Sequence, residues 1–110
     1  MSNIIIPKNE KRIINGGKIE NGIRYININD KDLDMTTIVV CVEIGSLAES
    51  LEYQGLAHFL EHMLFLGSKK YPDATAFHNL IASNGGNSNA FTEPTRTTYH
   101  LSIYNKFLDK

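Results

Sequence analysis

Two histidines and a glutamate lie close together in the segment HFLEH, residues 58–62, whose other side chains are Phe and Leu. His58 and His62 are four residues apart, and on a helix this spacing places them on one face, with Cβ atoms ~5–6 Å apart. Imidazole nitrogens that converge in this way can bind one zinc ion at ~2.0–2.1 Å. Glu61 is adjacent to His62, so its carboxylate lies beside the metal without being a ligand. A carboxylate next to water at zinc can act as a general base near neutral pH.

Residues 53–66 are predicted to form the helix that carries this motif, because the segment contains no proline and a glycine follows it. His58, Glu61, His62 and Phe65 fall on one stripe, and apolar residues cover the other directions. A helix that is apolar all round is usually buried. A buried carboxylate beside two imidazoles needs partners, since burying an unpaired charge is costly. Zinc is one solution; the alternative is a pair of hydrogen-bonded histidines with Glu61 forming ion pairs along the helix.

Other residues with chemically active side chains favour structural or solvated roles. His78 is expected on the solvent side of a second helix, and His100 lies within an alternating strand. Glu93 falls in the turn TEPT and is expected to be a solvated loop carboxylate. Cys41 is the single cysteine, so it forms no internal disulfide, and its apolar surroundings favour a buried structural position.

Composition limits the classes of function that remain. The 110 residues are 42% hydrophobic and 21% charged, which suits one small globular domain. A net charge of −1 gives no indication of a nucleic-acid partner or of a basic membrane-binding patch. No apolar segment reaches the ~20 residues of a membrane span, and the first residues do not resemble a signal peptide. A cytoplasmic location is therefore expected.

The order of elements indicates an α+β fold in which an antiparallel sheet is backed by helices. Residues 1–9 are expected to be a flexible arm, and residues 10–110 a single, incomplete domain. The segment NGG is predicted to be a turn or bulge, and residues 36–44 a central strand covered on both faces. The remaining expected elements are a strand after the turn at ENG, a second helix capped by Asp73 or Thr75 and closed at residues 84–86, the short strand SNAFT, and a strand at residues 96–104.

Longer stretches around the motif resemble one known family. They are GLAHFLEHMLFLGSKKYP at residues 55–72, GGNSNAFTEPTRTTYHLSI at residues 85–103, and the upstream NGIRYININD and EIGSLAES. Together with the inverted zincin order H-x-x-E-H, they resemble the insulinase (pitrilysin) family of zinc metallopeptidases, especially its insulin-degrading-enzyme branch. The resemblance extends from about residue 10 to the end of the sequence, and it implies the N-terminal part of such a peptidase domain.

The resemblance implies a zinc endopeptidase that hydrolyses small or unfolded polypeptides. It makes His58 and His62 zinc ligands, and Glu61 the base that activates water at the zinc. It makes SNAFT an edge strand that pairs with substrate backbone, with Asn89 and Ala90 nearest the scissile bond. Phe65, on the motif stripe, would wall the substrate pocket.

The resemblance implies that the third zinc ligand is a glutamate on a later helix, farther along the chain than Lys110. Glu93 comes too early to be that ligand, so the resemblance implies an incomplete site within these residues. Three readings stay open: a peptidase whose remaining part is missing here, a catalytically inactive remnant that only binds peptides, and one half of a split protease completed by a second chain.

Overall fold

The structure, a computed structural model, describes residues 4–108. They divide into two compact units, which meet in the sequence between Leu33 and Asp34. The order of the longer elements is three strands, two helices and two strands, and every strand pair is antiparallel. This confirms the α+β class. The flexible arm at residues 1–9 stays a prediction, and residues 1–3 lie outside the described part.

The first unit is a hairpin of β1, Ile13–Lys18, and β2, Arg24–Asn29. The predicted turn at ENG lies between them. Gly22 has a φ of 93°, which glycine adopts without strain, and its N–H donates to the Ile19 carbonyl at 2.9 Å. The Asn21 side chain accepts a hydrogen bond from the Ile23 amide at 3.1 Å. Local turn chemistry therefore determines this hairpin.

The prediction of a turn or bulge at NGG was wrong. Asn15, Gly16 and Gly17 lie inside β1, and its pairing with β2 runs without interruption. A Cβ atom on Gly16 would come 2.7 Å from the Tyr25 carbonyl oxygen. The glycine is therefore needed for close approach of the two strands, which a sequence pattern cannot distinguish from a bulge.

The second unit contains a three-stranded antiparallel sheet and two helices. The sheet has the order β3, β5, β4, so β5 is its central strand. The elements are β3, Met35–Val42; α1, Leu56–Leu64; α2, Ala76–Ser83; β4, Asn87–Thr92; and β5, Thr97–Tyr104, with one-turn 3-10 helices at Ser46–Ala48, Leu51–Tyr53 and Asn105–Phe107. Among residues 4–108, no helix is long and apolar enough to cross a membrane.

The prediction that residues 36–44 form a covered central strand was wrong. β3 lies at an edge of the sheet, and Val39 and Val40 are more than half exposed. Cys41 on the same strand is exposed, not buried. A run of β-branched residues indicates a strand, but its neighbours depend on pairing partners distant in sequence. The longer-range pairings in this chain place β5 at the centre instead.

The motif helix is shorter and more exposed than predicted. α1 begins at Leu56 because Gly55 has a φ of 88°, outside the right-handed helical region. Its apolar residues are largely exposed, for example Phe59 at 61%, whereas Glu61 is buried at 7%. The expectation of a buried helix was therefore wrong for most of the described surface of α1. It was right for the Glu61 carboxylate.

Glu49 holds the N-terminus of α1. Its carboxylate accepts hydrogen bonds from the backbone amides of Gly55 at 2.6 Å and Ala57 at 2.7 Å. These amides belong to the first turn, where helical N–H groups lack intrahelical partners. The bonds from Ala57 and Gly55 lower the pKa of the Glu49 carboxyl below its ordinary value of 4.5. The carboxylate thus fixes the start of the helix that carries the motif.

Glu49→Gln is expected to lower the melting temperature at neutral pH. A carboxyl whose pKa is lower in the folded state stabilises the fold above its unfolded pKa, and this contribution is lost as pH falls through the folded pKa. The difference between the wild type and the variant should therefore shrink below pH 4.5. Thermal unfolding followed by circular dichroism across this pH range measures it. Glu52→Gln, at an exposed neighbouring glutamate, is the control, and equal effects of both substitutions would contradict the capping role.

Candidate metal centre and peptide-binding strand

His58 and His62 converge on one side of α1. Their Nε2 atoms are 3.1 Å apart, and their ring centroids are 4.6 Å apart with the planes nearly perpendicular. The helical spacing of four residues brings them together, as the sequence predicted. The shared face is confirmed by this geometry; zinc binding by the pair stays a prediction.

The separation of the two nitrogens suits a shared zinc ion. Two nitrogens bound to one tetrahedral zinc at ~2.0–2.1 Å lie ~3.4 Å apart, close to the observed 3.1 Å. Glu61 Oε2 lies 3.4 Å from His58 Nδ1. A carboxylate at Nδ1 favours the tautomer that leaves the Nε2 lone pair for a metal. The same approach also allows one Nε2–H to donate to the other, so the donor set fits zinc without requiring it.

Glu61 is the buried polar group of the site. Thr92 Oγ1 donates a hydrogen bond of 2.6 Å to Glu61 Oε2, which joins α1 to β4. With His58 Nδ1 on the same oxygen, the buried carboxylate has the partners that its burial requires. The carboxylate lies beside the His58 imidazole; its role as a base next to a metal stays a prediction.

Tyr99 adds to the electrostatics of the site. It lies on β5 opposite Ala90 of β4. Burial raises the pKa of the Tyr99 hydroxyl, and the negative charge of Glu61 raises it further. The phenol therefore stays neutral at physiological pH and contributes no negative charge beside the carboxylate.

β4 is an edge strand, as predicted for SNAFT. It pairs only with β5 among residues 4–108, so its other edge offers backbone groups to an added strand. Side chains alternate between its two faces. Ala90 is 8% exposed and shares a face with Thr92, which contacts α1, whereas Asn89 lies on the opposite, exposed face. Of the two predicted substrate contacts, Ala90 is therefore the one on the side of the motif helix.

Phe65 is half-buried just after α1 and packs in an aromatic cluster. Its ring stacks on His78 with centroids 5.4 Å apart, and it lies 5.8 Å from Phe77 and 6.4 Å from Tyr99. These contacts join the end of α1 to α2 and the sheet. His78 is exposed, as expected, while one side of its ring covers Phe65. Phe65 also lines a small apolar cavity beside this cluster. Its predicted role in walling the substrate pocket stays a prediction.

The remaining titratable candidates lie in other surroundings. Glu93 forms an ion pair with Arg96 across the turn after β4, and this hydrogen-bonded pairing lowers the pKa of the Glu93 carboxyl. His100 is half-buried on β5, with its ring 6.4 Å from Phe91. Over residues 4–108, no three or more His, Cys, Asp or Glu side chains form a group that could hold a metal. The described ligand candidates are thus His58 and His62.

Two residues of the site were missed by the sequence argument. Thr92 is two positions after Ala90, so strand periodicity could have placed it on the face of Ala90, but its contact with Glu61 depends on packing. Glu49 caps α1 from six residues before Gly55, which matches no local capping pattern.

Comparisons with known proteins find members of one peptidase family. Residues 24–110 match the family model described as Insulinase (Peptidase family M16). The chain is 36% identical to the insulin-degrading enzyme of Drosophila melanogaster over 109 residues, covering 99% of this chain and 11% of that protein. It is 42% identical to the insulin-degrading enzyme homolog of Dictyostelium discoideum over 86 residues, covering 78% of this chain and 9% of that protein.

A solved structure is also similar. The crystal structure of pitrilysin superposes with a TM-score of 0.89 at 34% identity, over 97% of this chain and 11% of that one. The chain therefore spans about a tenth of the length of the curated relatives and of the solved structure that it matches.

Proposed function

Since this chain belongs to the insulinase family, peptidase family M16, we propose that it carries the zinc-binding helix and the peptide-binding strand of a zinc endopeptidase. The observation that supports this most directly is the convergence of His58 and His62, with their Nε2 atoms 3.1 Å apart and the buried Glu61 beside them. The alternative is a hydrogen-bonded histidine pair with a structural role only. In that case Glu61 would take no part in a reaction.

The proposed reaction is hydrolysis of a peptide bond with Glu61 as general base. When bound by His58 and His62, zinc would polarise the scissile carbonyl and make water more acidic. Glu61 accepts a proton from the attacking water as its oxygen bonds to the carbonyl carbon. The carboxyl then gives that proton to the amide nitrogen as the carbon–nitrogen bond breaks. The products are a carboxylic acid, which loses its remaining proton to the released amine, and the resulting ammonium group; Glu61 is again ionised.

The proposed substrate is an extended polypeptide that pairs with the free edge of β4. Strand addition uses backbone hydrogen bonds, so it selects extended or unfolded chains and does not demand one sequence. Asn89 and Ala90 would pair with residues near the scissile bond, because Ala90 shares a face with Thr92, which contacts Glu61. Phe65 would wall the adjoining pocket. A cytoplasmic location, as expected from the sequence, is part of the proposal.

A catalytic zinc ordinarily takes three protein ligands and a water. Two ligands are proposed here, so the third is expected from residues other than these, either in the same polypeptide or in a second chain. The free edge of β4 also favours a second candidate function, in which the chain binds peptides without hydrolysing them.

The 110 residues alone are expected to bind zinc weakly and to hydrolyse peptides negligibly. Loss of even an outer partner of a metal ligand typically costs ~10–100-fold in affinity or activity, and here a ligand itself must come from elsewhere. Hydrolysis should appear when the part of pitrilysin that follows the region matched by this chain is added in trans. A fluorogenic peptide assay with and without a chelator, together with zinc analysis, tests this.

The outcomes of this assay separate the candidate functions. Chelator-sensitive hydrolysis that requires both chains supports the endopeptidase. Peptide binding without hydrolysis in every combination would support the binding function instead. Robust chelator-sensitive hydrolysis by the 110 residues alone would show that a third ligand lies within them, and Glu93 and His100 would be substituted first.

A further inference from the structure

The hydrogen bond from Thr92 to Glu61 is the direct polar link between the peptide-binding strand and the proposed base. Thr92 Oγ1 lies 2.6 Å from Glu61 Oε2, and the two residues are 31 positions apart in sequence. Hydrogen bonds to an ionised carboxylate are shorter and stronger than those between neutral groups. Glutamate is among the side chains with most rotamer freedom, so such a bond can select one orientation of the carboxylate.

Thr92 is held in place by strand pairing on one edge and by the turn that follows it. It is the last residue of β4 and pairs with Thr97 of β5. The next residue closes the turn, since the Glu93 amide donates to the Arg96 carbonyl at 2.8 Å. The Glu93 carbonyl also accepts a hydrogen bond from the Ser46 amide at 3.1 Å. The hydroxyl therefore projects from a fixed point and can impose that position on the longer Glu61 side chain.

The Thr92 and His58 contacts of the carboxylate use the same oxygen. Thr92 Oγ1 and His58 Nδ1 both approach Glu61 Oε2, at 2.6 Å and 3.4 Å. Neither of these two contacts uses Oε1. A base that is anchored through one oxygen can accept a proton on the other oxygen.

We propose that Thr92 is a positioning residue for Glu61, so that the strand that pairs with the substrate backbone also orients the base. Its catalytic consequence rests on the proposed endopeptidase function; the orientation of Glu61 does not. Thr92 acts through Glu61 and makes no contact with the reacting atoms. Because its side chain faces α1 while the strand edge binds peptide, substitution should affect the catalytic step more than substrate affinity.

The orientation of Glu61 can be measured by NMR on the full 110-residue chain, without metal or substrate. Three-bond couplings of the Glu61 side chain report its rotamer populations. One dominant rotamer is expected in the wild type and in Thr92→Ser, which keeps the hydroxyl, and averaging over rotamers is expected in Thr92→Val. Thr92→Ala serves as a second variant should Val fail to fold. Averaged rotamers in the wild type, or one unchanged rotamer in the variants without the hydroxyl, would overturn the proposal.

Thr37→Val is the matched control for a purely structural hydroxyl. Thr37 Oγ1 lies 2.8 Å from Ser102 Oγ between β3 and β5, so the substitution also removes a hydrogen bond between two elements. It should change stability without changing the Glu61 rotamers. Equal averaging of Glu61 in Thr37→Val and Thr92→Val would show that general loosening, and not the Thr92 hydroxyl, releases the carboxylate, and would overturn the proposal.

The catalytic effect is measured by kinetics of the two-chain assembly, which is this chain together with the added part of pitrilysin. Thr92→Val is expected to lower kcat ~10–100-fold, the usual cost of losing an outer-shell partner. KM and zinc content should not change. Thr92→Ser keeps the hydroxyl and should recover most of the rate. An active wild type with unchanged kcat in Thr92→Val would overturn the positioning role alone. An assembly that never hydrolyses peptide, together with a hydroxyl-dependent Glu61 rotamer, would refute the proposed function and leave the orientation of Glu61 by Thr92 supported.

Discussion

Glu61→Gln is expected to reduce peptide hydrolysis by the two-chain assembly ~10²–10⁴-fold, the usual contribution of a positioned general base. Glutamine has nearly the same shape and can still accept the hydrogen bond from Thr92, so the position of the side chain should persist. Its amide cannot take a proton from water at neutral pH. His58 and His62 are unaltered, and zinc content should therefore stay at the wild-type level.

The measurement combines turnover of a fluorogenic peptide with zinc analysis of the same sample. Glu20→Gln, at an exposed glutamate in the turn between β1 and β2, is the control and should leave both quantities unchanged. Near-wild-type turnover in Glu61→Gln would remove the carboxylate from the mechanism. Loss of zinc together with activity would instead indicate that Glu61 supports the metal.

His62→Ala and His58→Ala are each expected to remove zinc binding by the 110-residue chain. Each substitution removes one of two nitrogens that lie 3.1 Å apart, and one imidazole on a helix holds zinc poorly. The loss of affinity should exceed the ~10–100-fold that is typical for an outer-shell partner, because a ligand itself is removed. In the assembly, hydrolysis should disappear with the metal.

Zinc titration followed by calorimetry or by a competing chelator measures this effect. His78→Ala is the matched control, since His78 is an exposed helical histidine that stacks on Phe65 outside the pair. Affinity should also fall as the solution is acidified, since protons compete with the metal for imidazole. Unchanged zinc affinity in His58→Ala and His62→Ala would show that the pair is a hydrogen-bonded structural feature.

Helical periodicity made the centre of the site predictable from sequence. Residues four apart on a helix share a face whatever surrounds them, so the convergence of His58 and His62 needed only the correct assignment of α1. Local turn chemistry likewise located the turn at Gly22. The edge position of SNAFT was expected from the family resemblance together with its short, polar-flanked sequence. The predicted helix began too early. The sequence does not distinguish a glycine with a positive φ, such as Gly55, from a glycine within a helix.

Strand neighbours were not predictable from composition. The most apolar strand, β3, was expected at the centre of the sheet, yet β5 occupies that place. Pairing joins residues far apart in the chain, such as Val39 with His100, and its selection depends on loops and helices between them. The exposure of Cys41 follows from this placement.

By itself the sequence determined that two imidazoles and a carboxylate lie on one helical face and that a short strand follows the second helix; the peptide-binding role of that strand stays a prediction. Only the tertiary structure decided how these parts support one another. Thr92 reaches Glu61 from another element, and Glu49 reaches the amides of Gly55 and Ala57 across a loop. Periodicity is a property of local backbone geometry and can be read from residue types, whereas these contacts depend on where packing brings separate elements together.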